Sequence, residues 1–201
     1  MKIILGSASP RRKDILSAAG IDFDIVVSDC EEIITKTLPA EVVTELSVQK
    51  SEDVRNKLLV RGEAANEDYL IIGADTIVAY GDEIYGKPRD KEDAVRMLSN
   101  LSGNIHQVYT GVNVIVTDSE LNVKKNITFC SKTDVVMYEI SDDEITRYVE
   151  SGEPMDKAGA YAIQGGCAMY IKEIKGEYNN VVGFPIARLI YELKQEGIVL
   201  G

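Results

Sequence analysis

Histidine is almost missing from this chain, with His106 alone among 201 residues. That argues against a multi-histidine metal centre and against a triad built on imidazole, and it leaves chemistry to carboxylates, hydroxyls, lysine and arginine. Cysteine is sparse as well. Cys30, Cys130 and Cys167 lie far apart, are odd in number and have no Cys-x-x-Cys spacing, which fits reduced thiols better than a disulfide framework or structural zinc. Positive charge is in deficit, with 22 Lys and Arg against 33 Asp and Glu for a net of −11, whereas phosphate-backbone binding calls for a basic stripe. Nucleic acid is therefore a poor partner. Long apolar runs are missing too. The stretch after Lys2 ends at Leu5, too short for a signal peptide, and the most apolar segment, Tyr69–Tyr80, is interrupted by Asp75 and Thr76, so nothing approaches the roughly 18 residues of a membrane span. The expected setting is the cytoplasm.

What is present is an ordinary globular composition, 45% hydrophobic and 27% charged, in a chain long enough to bury a sizeable core. Ile3–Leu5 reads as a short strand, and Ser9-Pro10 offers an N-cap with proline at the first helical position for a helix ending before Gly20. Phe23–Val27 reads as a strand. Pro39–Leu59 carries Val42, Val43, Leu46, Val54 and Leu58 at helical spacing, as one long helix or two broken near Ser51. Tyr69–Tyr80 and Glu83–Tyr85 are strands, Asp90–Leu101 a helix, and Val108–Thr117 with Thr128–Ile140 a long hairpin. Ser141 and Glu144 form a capping box, Ala160–Ile174 reads as strand material around Gly165-Gly166, and Pro185–Glu196 closes the chain as a helix. The sum is an α/β (α+β) fold, a long curved mixed β-sheet flanked by helices in two lobes around a central cleft. Residues 1–201 are taken as a single domain.

Four segments can carry chemistry. Gly6-Ser7-Ala8-Ser9-Pro10 places small residues between a strand and a helix N-terminus, with Arg11, Arg12 and Lys13 immediately after, a setting in which free N–H groups and the helix dipole favour a phosphate. A capped helix with a solvated basic face is the plainer reading. Asp75 puts a carboxylate inside an apolar strand, costly unless it meets a partner or a metal, so a general base or metal ligand is expected there, against an Asp that caps a bulge beside Gly73. Glu31 and Glu32 are two adjacent acids that suit Mg²⁺ or Mn²⁺, or simply a solvated loop. Asp156 to Gly166 is rich in small residues around Gln164, whose amide matches the donor–acceptor edge of uracil or thymine; a glycine-rich turn with an incidental Gln competes with that reading. Lys50 on a helix and Lys87 in a Gly-Lys-Pro turn are unspecific by themselves, and His106 reads as a satisfied or surface residue.

Taken together, Ser7-Ala-Ser-Pro-Arg-Arg12, Gly73-Ala-Asp-Thr76, Gly86-Lys-Pro88, Asp156-Lys-Ala-Gly-Ala-Tyr-Ala-Ile-Gln-Gly165 and Gly176-Glu-Tyr178 with Val182-Gly-Phe-Pro185 resemble the Maf family of nucleoside triphosphate pyrophosphatases. The resemblance implies a fold similar to inosine triphosphate pyrophosphatases and a metal-dependent cytoplasmic enzyme, using Mg²⁺ or Mn²⁺, that releases a nucleoside monophosphate and pyrophosphate. The paired arginines and the Ala-Ile-Gln-Gly ending look like the subfamily acting on dTTP and UTP rather than on 7-methyl-GTP. It further implies Asp75 as catalytic base and metal ligand, Arg11, Thr76 and Gln164 as the residues governing nucleotide preference, and Ser7, Arg12, Glu31, Lys50 and Lys87 around the triphosphate and its metal, with Glu31 as a metal ligand. A homodimer is expected on the same ground, as is a link to septum formation. Phe184 stands where Leu is usual, an apolar change that alters packing more than chemistry. Two other readings remain: the same reaction on another or modified nucleotide, and a non-catalytic nucleotide-binding regulator.

Overall fold

Apolar periodicity and turn residues divide the chain into alternating strands and helices, and the computed structural model, which describes residues 1–62 and 67–200, realises most of that division. In order they are β1 (Lys2–Leu5), α1 (Pro10–Ala18), β2 (Asp24–Ile25), α2 (Pro39–Val60), β3 (Tyr69–Tyr80), β4 (Glu83–Tyr85), α3 (Lys91–Leu101), β5 (Ile105–Thr117), β6 (Val123–Met137), α4 (Asp142–Glu150), β7 (Ile171–Lys175), α5 (Tyr178–Val182) and α6 (Ile186–Gln195). Short 3₁₀ turns at Glu153–Asp156, Ala158–Ala160 and Gly166–Tyr170 fill the interval between α4 and β7. The strands form one seven-stranded mixed sheet in the order β2-β1-β3-β5-β6-β7, with β4 beside β3. β1 pairs in parallel with β2 and β3, while β3 with β4 and β6 with β7 are antiparallel. No helix among the described residues is long and apolar enough to cross a membrane.

The chain falls into two compact units, residues 1–75, 110–131 and 183–201 in the first and 76–109 and 132–182 in the second. In the first unit both sheet faces are covered, which is why its strands read as continuous apolar runs. Leu5, Leu70, Ile72, Val112 and Val114 pack with Leu16 of α1 and Leu189 and Leu193 of α6. The alternate residues Ile4, Tyr69, Ile71 and Ile115 pack with Val54 and Leu58 of α2. By the period-2 rule of a strand, Gly73, Asp75, Gly111 and Asn113 belong to the α2 face.

Helix α2 lies almost in backbone contact with the sheet. A Cβ on Gly73 would come within 2.3 Å of the Ser47 carbonyl oxygen and 2.6 Å of the Ser51 nitrogen, and one on Gly111 within 2.2 Å of the Val43 carbonyl oxygen. Beside the Gly73 contact Ser51 Oγ meets the fully buried Asn113 Oδ1, and Asn113 Nδ2 donates to Asn126 Oδ1 at 2.5 Å and Thr128 Oγ1 at 2.6 Å. α2 is one uninterrupted helix; Ser51 is buried on its sheet side and does not break it.

In the second unit α3 packs on α4 and on the Ala158–Ala160 turn. Asp90 caps α3 by accepting from the Asp93 N–H at 2.8 Å, and the Ser141 N–H donates to Glu144 at 2.9 Å at the start of α4. The lone histidine belongs to this core. His106 is fully buried, its Nε2 lies 2.8 Å from the Tyr161 hydroxyl, and burial pushes its pKa down to about 4.

Three sequence expectations are corrected. Ser9 occupies the N-cap position of α1 but its side chain makes no capping bond; its own N–H donates instead to Ser7 Oγ at 3.2 Å. The strand expected over Phe23–Val27 is only β2; the Val26 N–H still donates to the Leu5 carbonyl at 3.2 Å, but the Val27 carbonyl is taken by Lys57 of α2 at 2.9 Å. Of Ala160–Ile174 only the stretch from Ile171 is strand, as part of β7; before it the chain turns at Ala160 with φ +58°, turns again where the Gly165 N–H meets the Ala162 carbonyl at 3.2 Å, and runs on as the 3₁₀ segment Gly166–Tyr170.

Two outcomes follow from this packing. Gly111→Ala forces a methyl group against rigid helix backbone, and is expected to destabilise by about 3 kcal/mol in urea unfolding, the upper end for an overpacked site. His106, with its folded pKa below the ordinary 6.5, contributes stability that is complete above pH 6.5 and lost as pH falls towards about 4. His106→Phe should therefore flatten unfolding free energy against pH within that window, and an unchanged slope would assign the dependence to other groups.

Candidate active site

Asp75 sits where β3 leaves its apolar run, on the face turned to α2. Its side chain is 15% exposed, and Oδ1 accepts from Lys50 Nζ at 2.5 Å. The close approach at Gly73, two residues earlier on the same strand face, sets this pair, because it fixes α2 against β3 within one turn of Lys50. The same ammonium lies 2.9 Å from Glu32 Oε1, so one cation is shared by two carboxylates.

Glu32 reaches Lys50 from an exposed segment without regular structure, and the reason is visible on α2. Glu45, Gln49 and Asp53, four residues apart on one helix face, bind the segment's backbone. Asp53 accepts from the Asp29 N–H at 3.1 Å, Gln49 accepts from the Ile33 N–H at 3.0 Å and donates to the Ile33 carbonyl at 2.6 Å, and Glu45 accepts from the Thr35 N–H at 2.9 Å. The Thr35 hydroxyl and N–H also hold the Glu45 carboxyl below its ordinary pKa. Glu31, carried over as the metal ligand, is exposed beside Glu32, and it is Glu32 whose carboxylate meets Lys50. The polar stripe on α2 at a spacing of four was the sequence signal that could have located this tie.

Ser7 and Arg12 form the neighbouring part of the first unit. Arg12 Nε donates to the Gly183 carbonyl at 2.9 Å, and Nη1 donates to the Ala74 carbonyl at 2.9 Å and Ser7 Oγ at 3.0 Å. Arg12 thus links the β1–α1 loop, the residue before Asp75 and the start of the C-terminal segment. Burial lowers its pKa, the charge of Asp75 opposes that shift, Arg11 adds to it and Glu32 opposes it. Arg11 is half-buried one residue earlier in the first turn of α1.

Thr76, Lys87 and Gln164 belong to the second unit. Thr76 is half-buried, next in the chain to Asp75. Lys87 is exposed in its turn, which is tied to the Ala158–Ala160 segment by the Gly159 N–H donating to the Gly86 carbonyl at 3.0 Å. Gln164 is exposed, while its neighbour Ile163 is buried.

Among the described residues no three His, Cys, Asp or Glu side chains converge on one point. Asp75 and Glu32 nonetheless bring two carboxylates together around one ammonium, each with oxygen lone pairs beyond the one that Lys50 takes. That donor set fits a hard divalent cation of the kind bound by one or two carboxylates with the remaining ligands drawn from substrate phosphates and water.

The chain is similar to known proteins along nearly its whole length. Residues 2–196 match the family model described as Maf-like protein. A dTTP/UTP pyrophosphatase of Agathobacter rectalis is 52% identical over 202 residues, covering 98% of each chain. Those of Bacillus thuringiensis subsp. konkukian and Lachnoclostridium phytofermentans are each 46% identical, covering 98% and 99% of this chain and 96% and 97% of their own. Among solved structures, the Ham1 protein of Staphylococcus aureus aligns at 14% identity with a TM-score of 0.48, over 98% of this chain and all of its own. The paired carboxylates, the lysine between them and the Arg12 tie all fall within the stretch that the family model matches, and the chain belongs to the Maf-like protein family.

Proposed function

We propose that this chain hydrolyses dTTP and UTP to the nucleoside monophosphate and pyrophosphate, with residues 1–201 acting as one catalytic domain. Relatives that are 46–52% identical over almost their full length carry the name dTTP/UTP pyrophosphatase. The observation that carries the reading is the Asp75–Lys50–Glu32 arrangement. Binding a polyanion calls for cations alone, whereas a carboxylate kept inside an apolar strand and oriented by a lysine suits a group that must accept a proton.

In this reading Lys50 fixes Asp75 through Oδ1, and the other carboxylate oxygen takes the proton of the water that attacks the α-phosphorus. Arg11, Lys50 and Lys87 offset the charge developing on the phosphate oxygens, work that is mainly positioning and electrostatics. Arg12 has Nε and Nη1 committed to protein oxygens, so it holds Ser7 and the β1–α1 loop in place while adding its charge to the site. Asp75 and Glu32 would hold Mg²⁺ or Mn²⁺ through the oxygen lone pairs that Lys50 leaves open, and the ion would supply neutralisation of the phosphates and of the departing pyrophosphate. Gln164 offers the base an amide that donates and accepts together, and Arg11 with Thr76 completes the nucleotide preference.

The test is a product assay with Mg²⁺ or Mn²⁺ on dTTP, UTP, CTP, GTP, 7-methyl-GTP and ITP. Monophosphate plus pyrophosphate from dTTP and UTP is expected. Orthophosphate would overturn the bond assignment, and binding without turnover would make the protein a regulator. Asp75→Asn is expected to lower kcat about 10³-fold with an unchanged circular dichroism spectrum, a loss typical of a removed general base. Gln164→Ala should raise KM for UTP and reduce its kcat/KM advantage over CTP about tenfold or more.

A further inference from the structure

Gln164 lies on a five-residue loop, 162–166, whose two ends are held by one pair of side chains. At the near end the Ala162 N–H donates to the Tyr148 hydroxyl oxygen at 3.1 Å. That hydroxyl donates in turn to Glu153 Oε1 at 2.9 Å. At the far end the Gly166 N–H donates to the same carboxylate, 3.1 Å from each oxygen. Between the ends the Gly165 N–H closes a turn onto the Ala162 carbonyl at 3.2 Å, and Ile163 is buried while Gln164 faces out.

The carboxylate occupies the space that a side chain at Gly165 would need, since a Cβ there would lie 1.8 Å from Glu153 Oε1. Burial raises the pKa of the Tyr148 phenol, so it stays a donor throughout the physiological range. Cys167, one residue past the loop, is pushed up to about 12 by burial, with the Glu153 charge adding to the shift, and it remains a neutral thiol. The acceptor in this clamp is thus a carboxylate with both oxygens on the Gly166 N–H of the loop and with Oε1 also on the Tyr148 phenol of α4. Its partners are local and none of them is a substrate-facing cation.

We infer that Glu153 and Tyr148 are positioning residues for nucleotide selection, fixing the loop that presents the Gln164 amide without touching substrate themselves. This rests on the reading of Gln164 as the group that meets the base. An amide selects an edge only if its orientation is held, because a mobile one satisfies the cytosine edge by turning over as easily as the uracil edge. A clamp on both ends of a five-residue loop fixes the backbone from which the amide is presented and so narrows the positions it can take at the base.

The test compares wild type, Glu153→Ala, Glu153→Gln, Tyr148→Phe, Gln164→Ala and the Glu153→Ala/Gln164→Ala double variant by steady-state release of pyrophosphate from UTP and CTP. Glu153→Ala is expected to cut the UTP over CTP ratio of kcat/KM about tenfold, through KM for UTP more than through kcat. Glu153→Gln, which keeps an acceptor oxygen, should restore part of the ratio. The double variant should discriminate no worse than Gln164→Ala, the mark of two residues acting through one contact. If Gln164→Ala erodes the ratio and Glu153→Ala leaves it intact, the clamp is overturned and the base reading stands. If Gln164→Ala itself leaves the ratio intact, the base reading falls and the clamp with it. Should Glu153→Ala fail to fold, Tyr148→Phe carries the test, and an unchanged ratio in that variant overturns the proposal.

Discussion

The near-contact of α2 with the sheet is the constraint on which the first unit depends. Helix and sheet normally stand apart by the depth of their side chains, but at Gly73 and Gly111 the strand offers no side chain and the helix backbone comes down onto it. Everything polar on that face is arranged around the approach. Ser47 and Ser51 are small enough to lie beneath the helix, Asn113 satisfies the buried Ser51 hydroxyl, and Lys50, one position before Ser51, is brought to Asp75. A helix held a few ångströms further out would separate that ion pair.

The ion pair itself contributes little net stability, because removing two charges from water offsets most of their attraction. Its chemical value lies in orientation. Lys50 answers two carboxylates, and Arg12, buried close by, senses both of them in its pKa, so the charges of this corner form one balanced set in which altering any member changes the field at the others. A centre of that kind is prepared for a ligand that brings its own negative charge and its own counter-ion.

How much of this was readable in the sequence depends on the range of the interaction. Asp75 stands out because a carboxylate inside an apolar strand has few structural excuses, and the anion-binding character of the loop after β1 follows from small residues before a helix N-terminus. The bracing role of Arg12 was not readable, since the Gly183 carbonyl that it meets is 171 residues away. Glu31 and Glu32 are equivalent as letters; they differ only in which carboxylate is turned to Lys50 once the segment is tied to α2. The interval before β7 has β-formers enough to look like strand, and the positive φ at Ala160, the turn closed by the Gly165 N–H on the Ala162 carbonyl and the 3₁₀ segment after it decide against it. Tyr148 and Glu153 were not readable because neither their type nor their spacing marks a loop clamp; their meaning lies in the backbone N–H groups that they accept from and in the bond between them.

The lacing of residues 29–35 onto α2 has an evolutionary side. Its contacts at Asp29, Ile33 and Thr35 fall largely on backbone N–H and carbonyl groups, with the Asp29 carboxylate on Lys57 and the Thr35 hydroxyl on Glu45 as side-chain additions, so the identities of the residues between these points matter little to its path. Its length matters a great deal. Exchanging Ile33 or Ile34 for another residue leaves the tie points where they are, whereas gaining or losing a single residue between Asp29 and Ile33 shifts the count and carries Glu32 away from Lys50. Drift in this lineage should therefore be free in spelling and strict in spacing across that short stretch.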